Sequence, residues 1–137
     1  LEDGRFVYGA SKVGLGIEKA KESLDFHFIT ADKGLELTNV LTAIEDFNNN
    51  IWCGRSGQGV AVYNPKTDKA ITWLSDKNDE RTFGAGCMEI DSFGTLWIGG
   101  DYGLYYLPHI AQFSYQTKNL FDGFVATDFR LQIIIKR

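Results

Sequence analysis

Methionine, proline and cysteine are scarce in this chain: one, two and two among 137 residues. Two cysteines make no disulfide framework. Both stand in apolar runs, Ile51-Trp52-Cys53 and Cys87-Met88-Glu89-Ile90, and read as buried free thiols. No apolar stretch approaches the ~20 residues of a membrane-spanning helix, so no membrane contact is expected. No Lys/Arg run breaks the balance of 14 basic and 18 acidic residues, which argues against nucleic acid as a partner. The opening Leu1-Glu2-Asp3-Gly4 has neither Met nor a signal peptide and reads as part of a longer protein.

What is plentiful points to β-structure. Aromatics make up 14% of the residues and there are 15 glycines, a combination suited to sheets joined by tight turns. Helical periodicity is absent.

The strongest signal is an internal repeat. Gly9, Gly54 and Gly99 are spaced 45 and 45 residues apart (54−9 and 99−54), as are Trp52 and Trp97 (97−52), with Val7 at the matching earlier position. Asp46 and Asp91 repeat the interval, and so do Phe28 and Trp73. Gly14-Leu15-Gly16-Ile17, Gly59-Val60-Ala61-Val62-Tyr63 and Gly103-Leu104-Tyr105-Tyr106-Leu107 correspond downstream, with one residue lost from the third loop.

A period of ~40–50 residues belongs to propellers and solenoids. The second unit divides into four runs of strand formers, Val40–Glu45, Ile51–Gly54, Val60–Tyr63 and Ala70–Leu74, separated by turn-forming clusters. Runs such as Leu96-Trp97-Ile98 are apolar on both faces, as a sheet sandwiched between sheets requires. The expectation is an all-β chain, a β-propeller fragment of about three four-stranded blades. Residues 1–120 would form the blades and 121–137 a terminal strand. Gly54 and Gly99 are expected to let the next blade approach, and Trp52 and Trp97 to fill the blade-to-blade contact.

The words Ile44-Glu45-Asp46…Ile51-Trp52-Cys53-Gly54…Gly59-Val60-Ala61-Val62-Tyr63 and Ile90-Asp91…Gly94-Thr95-Leu96-Trp97-Ile98-Gly99…Gly103-Leu104-Tyr105-Tyr106 resemble the two-component regulator propeller repeat. The first copy departs with Val7-Tyr8 for Trp-Ile, and the second carries Asn49 where Gly is usual. The resemblance implies a sensor segment in the periplasmic or extracytoplasmic part of an inner-membrane signalling protein, feeding a histidine kinase. It also implies a small-molecule ligand, with oligosaccharides prominent. Phe124–Leu131 looks like the opening strand of the immunoglobulin-like domain that follows such propellers; the alternative is one more strand pairing with a blade.

Catalytic patterns are lacking. Asp46-Phe47-Asn48-Asn49-Asn50 has Ile51 where a calcium loop needs Gly, and Gly9–Gly14 lacks the Lys-Ser/Thr of a phosphate loop. His27 and His109 have no metal-ligand partner at a recognisable spacing, and Glu45, Glu89 and Asp91 fall at strand ends and turns. No catalytic residue, metal or cofactor is therefore expected.

With strands lettered A to D from the inside, the B–C turns and D–A links share one end of the sheets. That end collects Arg55, Ser56, Gln58, Arg81, Asp101 and Tyr102, whose charged forks, amide and aromatic ring suit sugar hydroxyls and ring faces. These six are the expected ligand-binding residues, with Arg55 and Tyr102 outside the core. Remaining blades of a parent chain, or a self-associated copy, are the expected protein partners. A protein-binding scaffold and part of a propeller glycosidase or lyase are the alternatives.

Overall fold

The computed structural model describes residues 1–35, 39–73, 75–76, 79–82, 84–101, 103–108, 110 and 130–132. The described residues are all-β, with a 3-10 turn at Ala31–Lys33. The first sheet holds β1 (Val7–Ala10), β2 (Gly14–Glu18) and β3 (Phe26–Ile29). The second holds β4 (Val40–Glu45), β5 (Ile51–Arg55), β6 (Val60–Asn64) and β7 (Lys69–Trp73). Its strand bounds fall within a residue of those expected. The third holds β10 (Ala85–Ile90), β11 (Leu96–Gly100), β12 (Gly103–Leu107) and β13 (Arg130–Gln132).

Each sheet is an antiparallel meander in chain order. The link between the second and third sheets is itself a two-stranded ribbon, β8 (Ser75–Asp76) and β9 (Asp79–Thr82), where the sequence suggested a plain connection. Arg130–Gln132 pairs with β12, so these residues extend the third sheet. The rest of 121–137 lies outside the described residues, as does His109.

Strand alternation makes the second sheet bifacial. Ile51, Cys53, Ala61 and Tyr63 share one apolar cluster with Leu15, Ile17 and Ile29 of the first sheet. Trp52, Val60 and Val62, between them in sequence, join Leu96, Ile98, Tyr105 and Leu107 of the third. Successive side chains of a strand point to opposite faces, so a continuous apolar run places one core on each side. Among the described residues the stack does not close on itself.

The turns between the first two strands of the second and third sheets are built alike. Asp46 accepts hydrogen bonds at Oδ1 from the Asn48 and Asn50 amides, and at Oδ2 from the Trp52 indole N–H at 2.9 Å. Asp91 does the same for the Phe93 and Thr95 amides and for Trp97, also at 2.9 Å. The third residue after each aspartate takes a positive φ: Asn49 at 64° and Gly94 at 77°. Asn is one of the few side chains that enters this region readily, which accounts for its standing in for Gly.

Close approach explains the repeated glycine. A Cβ on Gly54 would lie 2.5 Å from the Ala85 carbonyl oxygen, where the third sheet begins. A Cβ on Gly9 would collide with Val40, 45 residues before Ala85 (85−40), where the second sheet begins. The expectation for Gly54 is met. Gly99 differs, its nearest obstruction being Cys87 Sγ of its own sheet.

Two expected burials are corrected. Cys53 is buried, but Cys87 is exposed. Trp52 is fully buried between sheets, whereas Trp97 is half-buried on the outward face of the third sheet, against Tyr106 at 5.5 Å between ring centroids. The third sheet covers the second but has no described sheet on its own far side.

Trp52→Ala is therefore expected to cost about 3–5 kcal/mol by opening a cavity in a two-sided junction. Trp97→Ala should cost no more than about 2 kcal/mol, since part of its surface is already in water. Urea unfolding of both variants measures the difference, and equal losses would contradict the burial asymmetry.

Candidate functional site

Of the residues expected at the B–C end, Arg55 and Asp101 have side chains that hold the turns and strand entries around them. Arg55 is the last residue of β5, fully buried, and its Nη2 donates to the Gln58 carbonyl oxygen. It was expected outside the core; the strand runs one residue further than the sequence suggested and carries the guanidinium under its own turn. The exposed Ser56 donates its amide to the Asn39 carbonyl at 3.0 Å. Asp101 donates its amide to the Gly84 carbonyl at 3.2 Å and accepts the Gly84 amide at Oδ2, 2.8 Å away.

Ser56 and Asp101 are one repeat apart (101−56 is 45), and so are Asn39 and Gly84. Each pair clips the entry of a sheet's first strand to the turn between its second and third strands. Gln58 is half-buried beside Gly59, which bridges to Gly84. The turn 56–59 and Asp101 thus meet at Gly84. Arg81 lies on β9, with its side chain outside what is described, and Tyr102 lies outside the described residues altogether.

A concavity opens at the opposite end, between the first and second sheets. It encloses about 550 Å³ and has an apolar floor that includes Ile17 and Ile51. This is the size of a small-ligand pocket. It lies beside the one turn without an Asp–Trp hydrogen bond: Leu1 and Val7 stand at the positions of Asp46 and Trp52.

Its rim is polar and internally tied. The Glu2 amide donates to Glu45 Oε2 at 2.6 Å, and Asn49 Nδ2 donates to Glu45 Oε1 at 3.0 Å. Arg5 is aimed by its own neighbours, donating from Nε to Asp3 at 2.7 Å and from Nη1 to the Glu18 carbonyl at 3.1 Å. The buried Glu18 carboxylate accepts the Phe6 and Leu24 amides, each at 3.0 Å, and the first of these chiefly holds its pKa below the ordinary range. Lys19 at the rim pairs with Asp25 at 2.9 Å.

A second network fastens the two sheets beside the cleft. Asp68 accepts the Tyr63 hydroxyl at 3.0 Å and pairs with Lys33, while His27 Nε2 lies 3.6 Å away. The Lys33 ammonium holds Asp68 below the ordinary carboxylate range. Burial, then the Asp68 carboxylate, pushes the Tyr63 phenol up to about 12.

Hydrogen-bond acceptors at Glu2 and Glu45, donors at Arg5 and Asn49, and an apolar floor can bind a polyhydroxylated molecule. They do not form a nucleophile–base pair. Cys53, the buried thiol of the same junction, is pushed up to about 12 by burial and stays protonated. Among the described residues no group of three or more His, Cys, Asp or Glu could hold a metal ion. No described helix is long and apolar enough to cross a membrane.

Sequence reasoning missed the cleft because its residues come from strand ends and turns in different units. The signal available but unused was the degenerate first copy, in which Leu1 and Val7 stand at the positions of Asp46 and Trp52. Compared with protein-family models and with curated proteins, the chain matches none.

Acid should loosen this structure. Asp3, Glu18, Asp68 and Asp91 all have pKa values lowered by folding, Asp91 chiefly through the Trp97 indole. Such groups contribute stability fully above their unfolded values, about 3.9 for Asp and 4.3 for Glu, and lose it as pH falls through the folded values. Urea midpoints should hold steady between about pH 7 and 5 and then fall below about pH 4. A midpoint that rises on acidification would reverse the sign.

Proposed function

We propose that this chain is a segment of a β-propeller, each of its sheets a blade, and that it serves recognition rather than catalysis. The observation that carries this reading is the face-to-face stacking of sheets whose equivalent residues recur every 45 positions, each junction closed by a glycine that admits the next sheet. Such radial repetition leaves the strand ends as the place where ligands are met. The repeat words support a sensor segment of a two-component signalling receptor, held outside the cytoplasm, whose ligand is an oligosaccharide.

The cleft between the first two sheets supports the ligand part of this reading better than the opposite end. Its polar side chains line an open concavity, whereas the Arg55 guanidinium is buried under its own turn and the Asp101 carboxylate holds the Gly84 amide. Its carboxylates, Glu2, Asp3, Glu18 and Glu45, outnumber Arg5 and Lys19, which favours neutral sugars over uronic acids.

Titration calorimetry with a panel of neutral and uronic-acid oligosaccharides tests the proposal. Binding should be confined to neutral members. Arg5→Ala and Asn49→Ala should each weaken it about 5- to 50-fold, the loss of a hydrogen bond from a partly desolvated group. Ser56→Ala, at the other end, should leave it unchanged. No binding to any panel member, or an equal loss from Ser56→Ala, would defeat the assignment.

A further inference from the structure

Two phenylalanines stand in water at the end of the sheets where the cleft opens. Phe47 is 65% exposed and Phe93 84% exposed, each in the turn between the first two strands of its sheet. The sheets are stacked in register, since at the opposite end Gly9 lies against Val40 and Gly54 against Ala85, one repeat apart. Both turns therefore project at the cleft end. Neither ring belongs to a sheet face, so a neighbouring sheet lies alongside it and not over it. For Phe47 the sheets on both sides are described, and the ring is still exposed between them.

The turns hold these rings on fixed backbone. Asp46 takes the Asn48 and Asn50 amides just after Phe47, and Asp91 takes the amide of Phe93 itself at 2.9 Å. A ring presented in this way has little backbone freedom left to lose when it meets a ligand. Glu45 and Asn49, which line the cleft, flank Phe47 in sequence. The repeat orders the series: Glu2 and Asp3, also at the cleft, hold the positions of Phe47 and Phe93 (47−2 is 45 and 93−3 is 90). From the first sheet to the third, this end passes from a polar concavity to one exposed ring and then to another.

We propose that Phe47, followed by Phe93, is a stacking track for the sugar units of an oligosaccharide that extend beyond the one held in the cleft. The inference rests on the neutral-oligosaccharide reading of the cleft and adds chain length to it. A pyranose carries C–H bonds on its faces, and their weakly positive hydrogens settle on the negative face of an aromatic ring. Acceptors and donors of the cleft take hydroxyl groups and so orient one unit. The rings take the apolar faces of the units that follow, with little regard to their hydroxyl pattern. Stacked sheets lie about 10 Å apart, so successive turns meet successive stretches of one linked chain. Longer oligosaccharides are therefore held better than a monosaccharide or a disaccharide.

Titration calorimetry of the full chain with cello-, malto- and xylo-oligosaccharides of one to six units tests it. In a series that binds, affinity should rise about 10-fold or more from disaccharide to hexasaccharide. Phe47→Ala should weaken the hexasaccharide about 5- to 10-fold, the worth of one ring contact, and leave the disaccharide unchanged. Phe93→Ala should show the same selectivity with a smaller loss. Phe47→Trp should restore the affinity, and its indole emission should shift with the hexasaccharide but not with the disaccharide. Circular dichroism checks that the variants fold. Equal affinity at every length, or a Phe47→Ala loss that is the same for disaccharide and hexasaccharide, overturns the track and leaves the cleft reading standing. Binding of no member of any series overturns the cleft reading and the track with it.

Discussion

A tryptophan buried between two sheets brings one N–H that must find an acceptor where no water reaches. Trp52 is fully buried in the junction between the second and third sheets, and the Asp46 carboxylate supplies that acceptor. The same carboxylate also takes the amides of Asn48 and Asn50, so one side chain fixes the turn, the strand it begins and the large apolar group that strand buries. An unpaired buried donor costs about 1–3 kcal/mol, which ties aspartate and tryptophan to each other. The first unit obeys the same logic by lacking both: Leu1 and Val7 stand at the two positions. Its turn keeps the Gly4 amide on the Leu1 carbonyl, and the cleft opens beside it.

Packing sheets face to face imposes a second constraint at their inner edges. The first strand of each following sheet comes close to the strand before it, and only Gly9 and Gly54 leave room for Val40 and Ala85. The register of these strands also shifts at equivalent places, between Val40 and Thr42 and between Ala85 and Cys87, 45 residues on (85−40).

The strands were readable because their determinants are local. Alternating β-formers bounded by Asn, Asp, Gly and Pro fixed the limits of β4 to β7 to within a residue, and the 45-residue interval aligned the units. The candidate site was far less readable. Arg55 looked like an exposed fork in a turn, because nothing local distinguishes a strand end folded under its own turn from a loop in water. Asp101 carries sugar-binding chemistry by residue type, yet its carboxylate accepts the amide of Gly84, a partner well separated in sequence. Glu2, Arg5, Glu45 and Asn49 share a rim only because the first sheet is laid against the second.

The sequence alone determined the repeat, the strand alternation and the pairing of apolar residues with opposite faces, since these depend on side-chain order along a strand. Tertiary structure decided what each face met. Trp52 and Trp97 sit in nearly identical words, and one is enclosed while the other remains half-buried, because burial depends on the neighbouring sheet and not on the word. Cys53 and Cys87 part in the same way, one sealed in a junction and the other on an open face. Which strand ends hold a cleft was likewise settled by the junction, where the unit lacking its Asp–Trp pair meets a complete one.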